Sequence, residues 1–332
     1  MKIVGFGDYL IHFSPPENDR FLQGDTMRIS FTGAEANVCA ALSFWGEKVD
    51  FITRLPRHML SRKGLMFMNS FRVSTDYVAY GEGRMGTYFL EKGHSVRPSS
   101  VIYDRLGTVF TASRYEDFAW EEILEDADAL YLSGITPSLS EELFQCCRRL
   151  LAECKHRGIA VFYDVNLRPA ICDITRSREI FFALAPAITH VISNEEHMKQ
   201  LLGMDGESGE NPDRLPVFAE LVREKTGIAN VAITVRRTIN AHQTRIYGAY
   251  STPELFAASR QWELDVVDRV GSGDAFSAGI IYGISRGWNA QETVEFAAAS
   301  SAVKHTINND INFAEAEEIK SIASRKTADV RR

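Results

Sequence analysis

The chain has 332 residues, a length that fits one large α/β domain or two ordinary ones. Its formal net charge of −7 gives no basic footprint for nucleic acid or for an anionic membrane surface. Five cysteines without a Cys-x-x-Cys spacing predict reduced thiols in a cytoplasmic protein and exclude a disulfide framework. No apolar run approaches ~20 residues, and the N-terminus is charged too early for a signal peptide, so we expect no membrane segment.

Short apolar runs alternate with longer helical patterns along the chain. The predicted strands are residues 2–7, 49–53, 129–133, 160–164, 190–193 and 231–235. The predicted helices are residues 34–45, 141–157, 195–202, 216–226, 275–286 and 290–306. This alternation predicts an α/β fold with a mostly parallel sheet and helices on both faces. Ligands of such folds sit beyond the carboxyl ends of the strands.

Residues 9–31 and 84–110 do not fit that alternation, because they are rich in aromatic, β-branched and loop residues. The stretches 85–90 and 100–105 are typical of antiparallel strands. We interpret them as a small β-sheet that forms a lid over the α/β domain or a contact between copies of the chain. The expected domain is therefore residues 1–323, followed by a frayed tail at 324–332.

A glycine turn before the predicted helix at 275 is the strongest candidate for chemistry. Gly271 and Gly273 precede Asp274, and the N–H groups of a first helical turn suit a phosphate or a developing anion. A carboxylate beside such a site repels a bound anion but suits a base that takes a proton as the anion develops. The alternative is an N-cap aspartate after a structural turn.

Polar residues also follow the predicted strand at 160–164. Alternation would put Asp164, Asn166 and Arg168 on one side at the carboxyl edge of the sheet, where a guanidinium can grip a carboxylate or a phosphate. A loop salt bridge is the alternative. In the predicted lid, Arg105 beside Tyr103 is either a surface pair or a holder of an anionic substrate.

Two loops that open helices are more ambiguous. Gly33 permits close approach to a ligand and Asn37 offers a donor and an acceptor, yet helix capping explains both equally well. The acidic residues at 195 and 196 are ordinary complements of a helix dipole, although they could organise Mg²⁺ around nucleotide phosphates.

Several common motifs are absent. The sequence has no Gly-x-x-x-x-Gly-Lys-Ser/Thr phosphate loop. The pairs Gly5/Gly7 and Gly271/Gly273 lack the third glycine of the dinucleotide fingerprint, which disfavours a dinucleotide-dependent reductase. No His-Glu-x-x-His or paired Cys-x-x-Cys indicates a metal site.

Two segments resemble the signatures of the ribokinase-like (PfkB) carbohydrate kinase family. Thr-Gly-Ala-Glu-Ala-Asn at 32–37 is similar to its N-terminal signature, and Asp-Arg-Val-Gly-Ser-Gly-Asp at 268–274 is similar to the C-terminal Asp-Thr-x-Gly-Ala-Gly-Asp. The resemblance runs almost end to end. It is strongest to the 2-keto-3-deoxygluconate kinases at residues 86–89, 102–105, 132–137, 164–168 and 303–306.

The resemblance implies a Rossmann-like domain with a β-sheet lid, ATP and Mg²⁺ as cofactors, and a role for individual residues. Asp274 would deprotonate the primary hydroxyl of the sugar, while the N–H groups of Gly271, Ser272 and Gly273 stabilise the transferring phosphoryl group. The implied sugar-contacting residues are Gly33, Ala34, Asn37, Tyr88, Tyr103, Arg105 and Arg168. The implied nucleotide-binding residues are Asn166, Asn194, Arg236, Gly271, Gly273, Lys304 and Asn308.

The sequence departs from the family pattern in three places. The family's Asn-x-x-Glu motif would put an acid at position 197, where this chain has His197, so Glu196 is the candidate metal residue. Residues 235–240 lack the Lys-x-Gly-x-x-Gly pattern of many members. His12 stands where several relatives carry arginine.

Together these features predict an ATP-dependent kinase of a small sugar acid, foremost 2-keto-3-deoxygluconate, giving the 6-phosphate. A kinase of a neutral sugar such as fructose or ribose is the alternative, and Arg105 and Arg168 favour the acid. A non-catalytic sugar-binding regulator is the third possibility, against which Asp274 argues, since a binder needs no base. We expect no nucleic-acid or membrane partner, and a homo-oligomer formed through the lid.

Overall fold

The structure is a computed structural model that describes residues 1–204 and 214–324. The predicted tail lies outside the described residues except for Ser324, which ends a helix. The strands, in chain order, are β1 (Lys2–Phe6), β2 (Leu10–Ser14), β3 (Arg28–Thr32), β4 (Lys48–Ile52), β5 (Arg54–Pro56), β6 (Ala79–Gly81), β7 (Gly86–Glu91), β8 (Ser100–Asp104), β9 (Ala129–Ser133), β10 (Ala160–Asp164), β11 (His190–Asn194), β12 (Asn230–Thr238), β13 (Gln243–Ser251), β14 (Phe256–Ala258) and β15 (Trp262–Asp265).

Within residues 1–204 and 214–324, the helices include every one predicted from the sequence and five more. In chain order they are α1 (Ala34–Phe44), α2 (Met59–Ser70), α3 (Trp120–Ile123), α4 (Ile135–Ser138), α5 (Glu141–Arg157), α6 (Ile174–Leu184), α7 (Glu195–Leu202), α8 (Leu215–Thr226), α9 (Ser272–Ser285), α10 (Ala290–Lys304) and α11 (Ala316–Ser324). Their ends follow local chemistry. In α5, for example, the Ser140 hydroxyl accepts the N–H of Leu143 at 3.1 Å, and Gly158 ends the helix at φ +73°.

The main sheet has nine strands, and its central path is β4-β1-β9-β10-β11-β12-β13-β14. Strands from β4 to β12 pair in parallel, whereas β13 is antiparallel to β12 and also pairs with β14 and β15. Alternate residues of β9 face opposite cores: Leu130 and Leu132 belong to one apolar cluster, Ala129 and Tyr131 to the other. Helices α5 to α8 cover the first face and α1, α9, α10 and α11 the second. The predicted fold class is confirmed.

The segments set apart in the sequence form a separate four-stranded sheet in the order β3-β2-β7-β8, for which we keep the name lid. The antiparallel pairing expected of β7 and β8 is present, and β2 and β3 are also antiparallel. The central pair, β2 and β7, is parallel, because the chain returns through β4, α2 and β6 before it enters the lid a second time. None of the helices in residues 1–204 and 214–324 is long and apolar enough to cross a bilayer.

Candidate active site

A cleft of about 430 Å³ lies between the lid and the carboxyl edge of the main sheet. The lid contributes Tyr88, Tyr103 and Arg105 to its wall, and the opposite side contains Arg168 and Asp274. A second hollow of about 840 Å³ adjoins it. The residues common to both are Asn194, His197, Thr234, Arg236, Ser272, Gly273 and Phe276. The cleft and the second hollow therefore meet at the start of α9.

The turn before α9 has the open geometry that its glycines predict. Gly271 has φ +78°, and a Cβ there would lie 1.8 Å from the carbonyl oxygen of Asp310. A Cβ on Gly273 would meet nothing within 4 Å, so this residue faces open space. The N–H of Ser272 is bonded to Arg269 O at 3.3 Å, but those of Gly271 and Gly273 have no acceptor within the described residues. These two amides are available to an anion.

Asp274 lies on the first turn of α9, and its carboxylate is held by Asn37. The Asn37 amide donates to Asp274 Oδ2 at 2.7 Å, and the Thr32 hydroxyl donates to Asn37 Oδ1 at 3.0 Å, which orients the amide. Burial raises the pKa of Asp274 to about 7, with the Asn37 hydrogen bond opposing and the nearby Asp164 carboxylate adding to the rise. A carboxylate whose pKa lies near neutrality suits a general base.

Asp164, Asn166 and Arg168 all line the cleft, although strand alternation is not what brings them there. The strand β10 ends at Asp164, and Asn166 has a left-handed φ of +40°. Asp164 accepts the Ser277 hydroxyl at 3.2 Å and so anchors α9, while burial raises its pKa to about 6. The Asn166 amide donates to Ser133 Oγ at 3.2 Å.

Four arginines line the cleft under the lid, but they are not equally available. Arg105 is buried and donates from Nε and Nη2 to Asp8 Oδ2 at 3.2 and 3.0 Å. Arg269 donates to backbone carbonyls. Arg168 and Arg236 have no carboxylate of the described residues within ion-pair distance, so they are the cations most available to an anionic ligand.

A buried cluster in the wall of the cleft was not predicted from the sequence. The Tyr88 hydroxyl donates to Asp310 Oδ2, and His12 Nδ1 lies 3.3 Å from Asp310 Oδ1. The rings of His12 and Tyr88 stack with centroids 4.3 Å apart. Burial raises the pKa of Asp310, but hydrogen bonds and the His12 charge outweigh it and hold that pKa below its usual value. No motif marks Asp310, because it lies in an irregular loop after α10.

Gly33 and Ala34 line the cleft at the start of α1, as the resemblance implied. A Cβ on Gly33 would lie 2.1 Å from the carbonyl oxygen of Asp8. The glycine is therefore required by the close approach of two chain segments, whether or not a ligand also approaches it.

Of the residues implied for the nucleotide, Asn166 and Gly271 line the cleft under the lid but not the second hollow, and Gly273 lies on the border of the two. The other four form two groups. Asn194 and Arg236 lie on the border of the two hollows, and Asn194 Oδ1 caps α7 by accepting the His197 N–H at 2.7 Å. Lys304 and Asn308 line neither hollow. Lys304 is fully buried, and Asn308 accepts the Lys92 ammonium at 2.8 Å. The structure therefore gives no support to nucleotide contacts by these last two side chains.

Glu196 is the carboxylate best placed for a metal. It is exposed in the larger hollow, where its closest partner is the Gln200 amide at 3.4 Å. The described residues contain no cluster of three metal-ligating side chains. Mg²⁺ usually binds one or two carboxylates together with substrate phosphates, and a single glutamate fits that mode. Burial lowers the pKa of His197 to about 4, and Arg168 and Arg236 add to the shift, so the imidazole is neutral.

Comparisons with known proteins agree with this geometry. The sequence model of the pfkB family carbohydrate kinases matches residues 1–317. The crystal structure of 2-dehydro-3-deoxygluconokinase from Thermotoga maritima superposes with a TM-score of 0.95 at 36% identity, covering 98% of this chain and 100% of that one. A PfkB family carbohydrate kinase from Listeria grayi has a TM-score of 0.91 at 27% identity, covering 98% and 100%.

A curated relative is the 2-dehydro-3-deoxygalactonokinase of Haloferax volcanii, which is 29% identical over 322 residues, or 97% of this chain and 96% of the relative. The family model spans nearly all of the chain, and the relatives cover it from end to end. The chain therefore belongs to the pfkB family of carbohydrate kinases, and the prediction of a sugar kinase is confirmed.

Proposed function

We propose that the protein transfers the γ-phosphoryl group of ATP to the primary hydroxyl of a 2-keto-3-deoxy sugar acid, foremost 2-keto-3-deoxygluconate, giving the 6-phosphate. The observation that supports this most is the meeting of two ligand spaces at Asp274 and Gly273. A phosphoryl donor in the larger hollow and an acceptor under the lid would face each other across that turn. Phosphoryl transfer needs positioning and charge stabilisation rather than a covalent intermediate.

The turn and the charged groups near it each have a role in this reaction. The Asp274 carboxylate accepts the proton of the sugar hydroxyl as that oxygen attacks phosphorus. The free N–H groups of Gly271 and Gly273 stabilise the negative charge on the phosphoryl oxygens. Arg236 adds positive charge at the border of the two hollows. Mg²⁺, bound through the phosphates and Glu196, would neutralise further charge on the nucleotide.

The choice of a sugar acid depends on Arg168. Its guanidinium lines the sugar cleft without a carboxylate partner among the described residues, so a substrate carboxylate would complete its pairing. Arg105 is already paired with Asp8 and offers less to a substrate. The names of the relatives, 2-dehydro-3-deoxygluconokinase and 2-dehydro-3-deoxygalactonokinase, also describe kinases of sugar acids.

A coupled ADP-release screen tests the proposal. The panel contains 2-keto-3-deoxygluconate, 2-keto-3-deoxygalactonate, fructose and ribose. A charge-assisted bond is worth roughly 1.5–3 kcal/mol, so Arg168→Met should lower kcat/KM for the acid by about 10- to 100-fold. It should leave the low activity on neutral sugars nearly unchanged. Arg148→Met, on the exposed face of α5, is the matched control.

Two results would count against the sugar-acid assignment, and a third would count against kinase activity itself. Fructose or ribose as the best substrate would favour the neutral-sugar kinase. Equal losses on acidic and neutral sugars in Arg168→Met would mean that this residue serves the phosphates or the fold. Absence of ADP release with every sugar, while binding persists, would favour the non-catalytic regulator.

We also propose that two copies associate through the outer face of the lid. The paired residues Ile29, Phe13, Phe89 and Ile102 form an apolar row across all four strands. Ile29 is 48% exposed and Ile102 is 53% exposed, although a β-sheet face in contact with water normally carries polar side chains. Light scattering of the wild type and of Ile102→Asp would show a dimer that dissociates in the variant; a monomeric wild type would exclude the association.

A further inference from the structure

Lys304 is a buried lysine whose hydrogen-bond partners in the described part of the chain are backbone carbonyls rather than carboxylates. It ends α10, its side chain is 0% exposed, and its ammonium donates to the carbonyl oxygens of Ile307 at 2.9 Å and Asp268 at 3.4 Å. No carboxylate of the described residues lies within ion-pair distance of it. A fully buried lysine is rare because removing its charge from water costs several kcal/mol unless partners compensate.

The two carbonyls belong to the segments that build the catalytic turn. Asp268 begins that turn, and its carboxylate accepts the N–H groups of Val270 at 3.1 Å and Asn309 at 3.2 Å. Ile307 begins the loop that leads to Asp310, whose carbonyl oxygen packs against Gly271. The ammonium of Lys304 therefore lies beneath the point where the turn and the loop meet.

We propose that Lys304 is an internal monovalent cation that holds the 268–271 turn against the 307–310 loop and so positions the amides of Gly271 and Gly273 for phosphoryl transfer. Two carbonyl dipoles pointing at one place repel each other, and a cation between them removes that repulsion. Burial lowers the pKa of Lys304 and the Lys92 ammonium adds to that shift, while the carboxylates of Asp268, Asp310 and Asp274 partly oppose it. Lys304 is thus a positioning residue that need not touch either substrate.

A purely structural role would predict something different. If Lys304 only joined two loops, its loss would lower the melting temperature and leave the turnover of the folded enzyme unchanged. If it held the turn electrostatically, its loss would lower kcat, because a displacement of about 1 Å at a reacting centre can cost ~10²-fold. A small cation able to enter the vacated space would then restore the rate.

The test compares Lys304→Ala with Lys304→Met. Both should lower kcat by about 10- to 100-fold with little change in KM for the sugar. Ammonium or potassium chloride should restore the turnover of Lys304→Ala when ionic strength is held constant with choline chloride. Lys304→Met fills the same space with an apolar chain and should not respond, and neither should the wild type, whose site is already filled.

A second measurement does not depend on knowing the sugar. Ammonium should raise the melting temperature of Lys304→Ala relative to choline, because a ligand that binds only the native state stabilises it. It should not raise that of Lys304→Met. This readout separates failure of the inference from failure of the proposed substrate, since it needs no substrate.

Three results would overturn the inference. Wild-type turnover in Lys304→Ala would show that the turn does not need the cation. Equal cation responses in the Ala and Met variants would place the effect elsewhere in the molecule. Loss of folded protein in both variants would assign Lys304 to the fold alone.

Discussion

Replacement of Asp274 by asparagine removes one charge from the cleft with almost no change of shape. The Asn37 amide can still donate to the remaining side-chain oxygen, so the local geometry should persist. The new side chain cannot accept a proton, and loss of a general base typically costs ~10²–10⁴-fold in rate. We therefore expect kcat to fall by that factor while the sugar and an ATP analogue still bind, as measured by ADP release and by calorimetric titration.

The pH dependence of wild-type activity is a second test of Asp274 as the base. The base acts when it is ionised, and burial raises its pKa to about 7. Activity should therefore rise with pH through about 7, and near pH 6 it should be roughly a tenth of the plateau, as expected for a single ionisation. Removing the Asn37 amide removes an interaction that lowers this pKa, so Asn37→Ala should move the acid limb to higher pH.

An exposed carboxylate provides the control. Asp265 ends β15, lies outside both hollows and is exposed, so Asp265→Asn should change neither kcat nor the pH profile. More than half of the wild-type turnover in Asp274→Asn would refute the assignment of the base. So would an acid limb in that variant at the same pH as in the wild type.

Four further substitutions have distinct expected outcomes. Gly273→Val should lower kcat and leave the melting temperature nearly unchanged, because a Cβ there meets only open space. Gly271→Ala should instead destabilise the protein, because its Cβ would lie 1.8 Å from a carbonyl oxygen. A large drop in the melting temperature of Gly273→Val would assign that glycine to folding. His197→Glu should lower the Mg²⁺ concentration needed for half-maximal ADP release, and an unchanged Mg²⁺ titration would show that this position is irrelevant to the metal. Arg105→Met should lower the free energy of unfolding by about 3–5 kcal/mol, because it leaves the buried Asp8 carboxylate unpaired, and a denaturant titration with no change would contradict that pairing.

The central sheet could be predicted because the strands of a parallel sheet are buried on both faces and appear as continuous apolar runs. The helix α2 was missed for the opposite reason. Its buried residues are Ser61, Gly64 and Met68, which form no apolar stripe. Gly64 lies beneath the rings of Tyr9 and Phe31, where a Cβ would come within 2.8 and 2.9 Å of them. Because this helix buries small and polar residues while Met59 and Met66 are exposed, its buried face cannot be read from its apolar residues.

The helix α6 was missed although its signal was present. Asp173 caps it by accepting the Arg176 N–H at 3.0 Å, and the residues that it buries, Ser177, Ile180, Phe181 and Leu184, follow a helical spacing. A systematic count of periodicity would have found it.

Some features of the site could likewise be predicted from the sequence, and others could not. The turn containing Asp274 could be found because its glycines, its acid and the helix after it are adjacent in sequence. The partners of the site residues could not, because each pair is distant in sequence: Asp8 with Arg105, Tyr88 with Asp310. The burial of Lys304 was equally hidden, since a lysine at the end of a helix normally lies in water.

The hydrogen bond between Asn37 and Asp274 joins residues 237 positions apart, and that between Tyr88 and Asp310 spans 222. Bringing together residues so far apart in sequence costs loop-closure entropy, which contacts elsewhere in the fold must offset. The cleft takes residues from both α1 and the first turn of α9, so no partly folded form that lacks α9 can contain it. Any sugar bound there would stabilise the whole native state against unfolding rather than one lobe of it.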